Sequence, residues 1–149
     1  MNRAFTFLMA GGGTGGHVIP LIAVACELRR RGHQPFFVGT KHGIESQLVP
    51  AEGFPIEWIE IGGLNRVGLR QTLRTLSQLP ASVSHALSLL RKHRPAAIFS
   101  MGGYVAGPVT LAAWLRNLPL VLMEPNAVAG VTNRWMGHFA ARALVNFPE

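Results

Sequence analysis

The sequence predicts an α/β domain over residues 1–149: a Rossmann-like, doubly wound parallel sheet with helices on both faces. Three observations predict it. Short apolar runs alternate with helical patterns along the whole chain, which implies right-handed crossovers between parallel strands. Those runs are nearly continuous in apolar residues, as strands covered on both faces are. The first of them leads directly into "AGGGTGGHVIP" at residues 10–20, a strand–glycine loop–helix junction.

Each element follows from local pattern. "AFTFLMA" reads as a buried strand and residues 18–31 as a helix. Pro20 suits the first turn of that helix, Arg29 to Arg31 its last turn and Gly32 its C-terminal cap. "QPFFVG" is a second strand, residues 45–51 a short helix and "PIEWIEI" a third strand. The loop "GGLNR" leads to a helical stretch over 67–93, interrupted at Pro80 and closed by Pro95. "AAIFSM" is a fourth strand, followed by a glycine loop and a helix from about Pro108 to Asn117. "PLVLME" is a fifth strand, a helix follows near 128–138, and "RALVNF" is a sixth strand. The chain ends just after that strand, where a linker to a second domain is expected.

Composition narrows the chemistry. Apolar residues make up 48% and charged residues only 14%, a globular balance. Lys plus Arg is 14 against 7 for Asp plus Glu, and all seven acids are glutamates. The absence of aspartate disfavours an Asp-x-Asp metal site or an aspartate nucleophile. A net charge of +7 suits anionic partners: phosphates, nucleic acid or acidic lipid headgroups. The lone Cys26 allows no disulfide framework, which points to a reducing compartment. The longest apolar stretches run about ten residues, too short to span a bilayer. The histidines lack ligand spacing, so no metal and no cofactor are expected.

The glycine loop admits several readings. Glycine lets a ligand approach the main chain, and a helix N-terminus supplies free N–H groups and partial positive charge. Gly11, Gly13 and Gly16 satisfy G-x-G-x-x-G, a weak signal alone that also fits a ligand-free tight turn. A nicotinamide site needs an acid at the end of the second strand, but Val38-Gly39-Thr40-Lys41 has none. No Gly-Lys-Ser/Thr follows, which excludes a Walker loop. The plan also recurs: "FSMGGYVAGPV" repeats strand, glycine loop and proline near a helix start. Two such loops at the carboxyl ends of parallel strands would share the ligand-binding edge of the sheet.

"GGGTGGHVIPLIAVACELRRRGH", "MGGYVAGP" and "EPNAVAGVTNRW" together resemble the MurG family of bacterial N-acetylglucosaminyltransferases. The resemblance runs in register through the whole chain, as that family's N-terminal half. It implies the two-domain GT-B fold, with a C-terminal donor domain lying outside this sequence. It implies transfer of GlcNAc from UDP-GlcNAc to MurNAc on undecaprenyl diphosphate, with inversion and without an Asp-x-Asp metal. Thr14, Gly15, Gly16 and Asn126 match positions associated with UDP-GlcNAc. Gly102, Gly103, Tyr104 and Gly107 match a loop associated with the acceptor diphosphate. One departure is visible: Met123-Glu124-Pro125-Asn126 stands where the family commonly reads His-Glu-Gln-Asn.

His17 is the candidate general base. Inverting transfer needs a group to take the proton of the attacking hydroxyl, and a helix N-terminus favours the neutral imidazole. A structural histidine capping the loop is the competing reading. Glu124 is the second candidate, with organisation of loop N–H groups or of His17 as its alternative role.

The stretch from Arg66 suggests a membrane face. Arg66, Arg70 and Arg74 fall on one helical stripe, and Leu69, Leu73 and Leu76 on an adjoining one. No acid occurs between Glu60 and Glu124. Leucines edged by arginines suit an interfacial helix on anionic lipid, with Trp114, Leu115 and Arg116 as candidates to extend the patch. An ordinary amphipathic helix with its leucines in the core remains open. Partners are then UDP-GlcNAc, a lipid-linked acceptor, an anionic membrane at the cytoplasmic face and a second domain. Two other classes stay open: a basic nucleic-acid-binding module, and a non-catalytic anchoring half that recruits a donor-binding chain. Against the nucleic-acid reading, Phe36, Phe37, Trp58 and Phe99 fall within strands instead of among exposed cations.

Overall fold

Six parallel strands form one sheet in the order β3-β2-β1-β4-β5-β6. The computed structural model describes residues 3–62 and 69–147, apart from the side chains of 69–74 and 76. The strands are β1 Thr6–Gly11, β2 Gln34–Gly39, β3 Ile56–Trp58, β4 Ala97–Gly102, β5 Leu120–Glu124 and β6 Arg142–Val145. The helices are α1 Gly15–Arg30, α2 Glu45–Ala51, α3 Leu69–His93, α4 Gly103–Leu115 and α5 Val131–Met136, the last followed by a 3₁₀ turn, Gly137–Phe139. The order is that of a doubly wound Rossmann-like domain. The chain winds outward from β1 to β3, then returns to β4 and winds outward the other way. The strand order therefore reverses between β1 and β4, where open α/β sheets hold their ligands.

The continuous apolar strands are explained by two cores. Leu8, Ala10, Phe36, Val38, Ile98 and Leu122 join Leu89 and Leu90 of α3 and Val105 and Val109 of α4. Met9, Phe37 and Met101 join Val18, Leu21 and Ala25 of α1 and Val49 of α2. Alternate residues of each central strand thus feed opposite faces, so every position reads apolar. α4 is almost wholly apolar because it lies on the sheet centre with α3 beside it.

Four expectations need correction. α1 starts at Gly15, three residues before the expected 18, and α4 at Gly103, five before Pro108. Pro20 and Pro108 each stand sixth in their helices, not in the first turn. Each lacks the N–H that would reach the carbonyl four residues back, Gly16 or Tyr104. α3 runs unbroken through Pro80 for 25 residues. Packing on α4 holds it, and the Ser82 hydroxyl lies 2.5 Å from Glu60 O and 2.9 Å from Gln78 O, tying the segment after β3 to the helix. β3 is only three residues, not the seven of "PIEWIEI".

The far edge is clamped electrostatically. Glu57 on β3 takes Lys92 Nζ at 2.7 Å and His93 Nε2 at 2.6 Å from the end of α3. The Lys92 contact leads in holding the Glu57 carboxyl below its usual range, against the opposing effect of burial. His93 stacks on Phe36 at 4.3 Å, so the clamp is anchored to the core.

Candidate functional site

The first glycine loop joins β1 to α1. Gly13 has φ +86, which only glycine adopts without strain. Thr14 is the N-cap, with extended backbone, and its carbonyl accepts from both His17 N and Val18 N at 3.1 Å. Gly15, Gly16 and His17 therefore form the first turn, where the N–H groups of Gly15 and Gly16 have no intrahelical acceptor. The Thr14 hydroxyl lies 3.2 Å from His17 Nδ1, which leaves Nε2 of the half-buried ring unengaged among the described residues.

The second loop joins β4 to α4 alongside it. Gly102 has φ +79 and ψ −154, a region open to glycine alone, and Gly103 has φ +80. The two loops touch. A Cβ on Gly103 would stand 3.3 Å from Gly12 O and 3.6 Å from His17 Nδ1, and one on Gly13 would strike the Tyr104 ring at 2.7 Å. The Tyr104 hydroxyl reaches to 3.5 Å from Thr40 Oγ1 beyond β2.

A third segment, between β5 and α5, closes the site. Glu124 Oε1 accepts from Asn126 N at 3.0 Å and Asn126 Nδ2 at 2.9 Å. Oε2 accepts from Gly130 N and Asn133 Nδ2, both at 3.0 Å. Burial pushes this carboxyl up, but the four hydrogen bonds outweigh it and hold the group below the usual carboxylate range. Four donors fill the lone-pair positions of a carboxylate, so Glu124 is built to organise this loop. Thr132 Oγ1 donates to Gly103 O at 3.0 Å, joining the third segment to the second loop.

A cleft of about 430 Å³ lies among the three segments. Of the expected site residues it is lined by Thr14, His17, Gly103, Tyr104, Glu124 and Asn126. Gly15 and Gly16 stand beside it in the first turn of α1, Gly102 is buried beneath it, and Gly107 lies a turn further along α4. Arg66 lies outside the described residues, as do the side chains of Leu69, Arg70, Leu73, Arg74 and Leu76. Trp114 is 44% exposed at the end of α4, its ring 5.0 Å from that of Phe139, and Arg116 follows it on the surface. No group of three or more His, Cys or Glu with metal-holding geometry occurs among the described residues.

Sequence reasoning missed three supporting residues. Thr132 and Asn133 stand in the first turn of α5, where polar residues are ordinary. Glu45, the first residue of α2, is 1% exposed and accepts hydrogen bonds from Gly13 N and Thr40 N. The carboxylate absent from the end of β2 is thus supplied from α2, turned inward onto the backbone.

Comparison with known proteins agrees with this geometry. Residues 7–145 match the glycosyltransferase family 28 N-terminal domain. A Solibacter usitatus protein is 60% identical over 149 residues, covering 99% of this chain and 40% of its own length. A Nitrosococcus oceani protein is 46% identical over 145 residues, with 97% and 40% covered. Both carry the name UDP-N-acetylglucosamine–N-acetylmuramyl-(pentapeptide) pyrophosphoryl-undecaprenol N-acetylglucosamine transferase. The crystal structure of Acinetobacter baumannii MurG superposes with a TM-score of 0.86 at 35% identity, over 98% of this chain and 42% of that one. The calicheamicin glycosyltransferase CalG4 shares the fold, with a TM-score of 0.62 at 19% identity over 93% of this chain. The chain spans about 40% of the length of the curated relatives it matches. With its two glycine loops at the β1/β4 reversal, the chain belongs to glycosyltransferase family 28 and carries that family's N-terminal domain.

Proposed function

We propose that this domain forms the acceptor side of an inverting transferase. In a full-length context it moves GlcNAc from UDP-GlcNAc to the 4-hydroxyl of MurNAc on undecaprenyl diphosphate. The observation that carries this reading is the convergence of both glycine loops, His17 and the Glu124-organised segment on one cleft. The acceptor oxygen attacks the anomeric carbon, the bond to UDP breaks with UDP taking the electron pair, and His17 takes the hydroxyl proton. Gly103 and Tyr104 offer first-turn N–H groups to the acceptor diphosphate, and Gly15 and Gly16 offer theirs to the donor. Asn126 and Thr14 line the donor side.

A second domain supplies most of the nucleotide site in this reading. Positioning two substrates against each other contributes several kcal/mol, roughly 7–11 in favourable cases. Residues 1–149 alone should therefore show no transfer, whereas the protein carrying both domains should convert radiolabelled UDP-GlcNAc and lipid-linked acceptor to product. Transfer by the single domain would overturn the two-domain assignment. A folded two-domain protein without transfer would overturn the function.

The lipid tail of the acceptor requires the cleft to come to a bilayer, at the cytoplasmic face in this reading. No helix among the described residues is long and apolar enough to cross one. The net charge of +7 and exposed Trp114, Leu115 and Arg116 support surface docking together with the Arg66–Leu76 stripes. Each arginine near an anionic surface contributes about 1 kcal/mol. Replacing Arg66, Arg70 and Arg74 with Glu should release the protein from acidic vesicles in a flotation assay, and added salt should do so in part. Unchanged flotation of the triple variant would remove these arginines from the interface.

A further inference from the structure

Glu45 is a buried carboxylate that the reaction above leaves without a task. Burying such a group is costly unless its oxygens are hydrogen-bonded. Oε2 accepts from Gly13 N at 2.9 Å. Oε1 accepts from Thr40 N and from the Thr40 hydroxyl, both at 2.9 Å. No Lys, Arg or His pairs with it among the described residues. Its space is held open by small neighbours: a Cβ on Gly12 or Gly39 would come within 2.6 Å of a Glu45 side-chain atom, and one on Gly43 closer still. None of these three glycines has a positive φ, so room for Glu45, not backbone conformation, explains them.

We infer that Glu45 is a positioning residue for the transfer, acting through the first glycine loop. The inference rests on the proposed reaction. Glu45 grips the Gly13 N–H from one side while the Tyr104 ring covers Gly13 from the other. Thr14 follows directly and contacts His17 Nδ1, so fixing Gly13 fixes the cap and the imidazole. Through Thr40, the same carboxylate is one hydroxyl away from Tyr104 and the second loop. Glu45 thus sets the place of His17 without touching substrate.

Glu45→Gln isolates this role. A carboxylate presents an acceptor to each of two backbone N–H groups, whereas an amide of the same shape presents one. Either Gly13 N–H or Thr40 N–H must then face a donor. Hydrogen exchange of the Gly13 or Thr40 amide should rise roughly tenfold or more, with the amides of Met9 and Phe37 unchanged. In a full-length context kcat should fall about 100-fold, the scale of a 1 Å misplacement, with a much smaller change in KM for UDP-GlcNAc. A purely structural role would lower the melting temperature and leave kcat of the folded protein intact.

Parent-like exchange at both amides overturns the inference, and so does faster exchange with kcat unchanged. If Glu45→Gln does not fold, Glu45→Asp, which keeps the charge but draws the carboxylate back from Gly13 by one methylene, decides by the same exchange measurement: faster Gly13 exchange supports the anchoring and a parental rate overturns it. Failure of the proposed reaction is distinguishable, because the parent itself would then show no transfer. Gly13 exchange in the variants would still decide whether Glu45 holds the loop.

Discussion

In a full-length context, His17→Ala is expected to lower turnover about 10²–10⁴-fold, the usual contribution of a positioned general base. The geometry sets the terms of the test. A base role requires the tautomer in which Nδ1–H donates to Thr14 Oγ1, leaving the Nε2 lone pair for the acceptor hydroxyl. Thr14→Val, which removes that acceptor, should therefore lower turnover by less than His17→Ala, and Thr14→Ser should retain it. Glu124 is the weaker candidate for the base, because four hydrogen bonds already occupy its oxygens and, against burial, hold it below the usual carboxylate range. A His17 that only caps the loop gives another pattern: a lower melting temperature, near-normal turnover and the parental pH profile. Stopped-time transfer assays across pH, with melting curves on the same samples, separate the two.

The glycine loops should respond in opposite ways to the same substitution. A Cβ on Gly15 would meet nothing nearer than Ile19 Cδ1 at 3.6 Å, an ordinary contact, and Gly15 is not among the residues with positive φ. Gly15→Val should leave the fold intact, with a helix-propensity effect within about 1 kcal/mol. It should nonetheless abolish transfer, because a branched side chain keeps the donor off the first-turn N–H groups. Gly102 sits at φ +79, and a Cβ there would lie 2.8 Å from Oδ1 of Asn133, the residue whose Nδ2 donates to Glu124 Oε2. Gly102→Val should cost roughly 2–4 kcal/mol through backbone strain and displacement of Asn133. Denaturant melts and transfer rates on both variants give the contrast directly. A Gly15→Val protein with parental transfer would show that no ligand approaches the first turn of α1.

What could be read in advance follows physical lines. The strands were legible because residues such as Leu8, Met9, Phe36 and Phe37 bury against one core or the other, leaving no polar alternation to confuse the pattern. The cleft was legible because the glycine loop occurs twice and the fold places both copies on one edge. The helix starts were not. Gly15, Gly16 and Gly103 have poor helix propensity and read as loop, yet they stand in the first turns of α1 and α4. Pro80 reads as a breaker, but α3 packs on α4 and buries Ala86, Leu89 and Leu90 beyond it in the core. Glu45 looks like any acid in the first turn of a surface helix. Its burial is announced only by Gly12, Gly39 and Gly43, whose shared neighbour is visible in three dimensions alone.

The two loops are braced from opposite ends of the sheet, the first by Glu45 of α2 and the second by Thr132 of α5. The braces share no residue. Tyr104 over Gly13 and His17 beside Gly103 join the loops they hold. Epistasis between the two loops should therefore run through those contacts, through Gly103 against Gly12 O and through the Thr40–Tyr104 hydroxyls. Substitutions at Tyr104 or His17 are the ones whose effects will depend on the genetic background in which they are made.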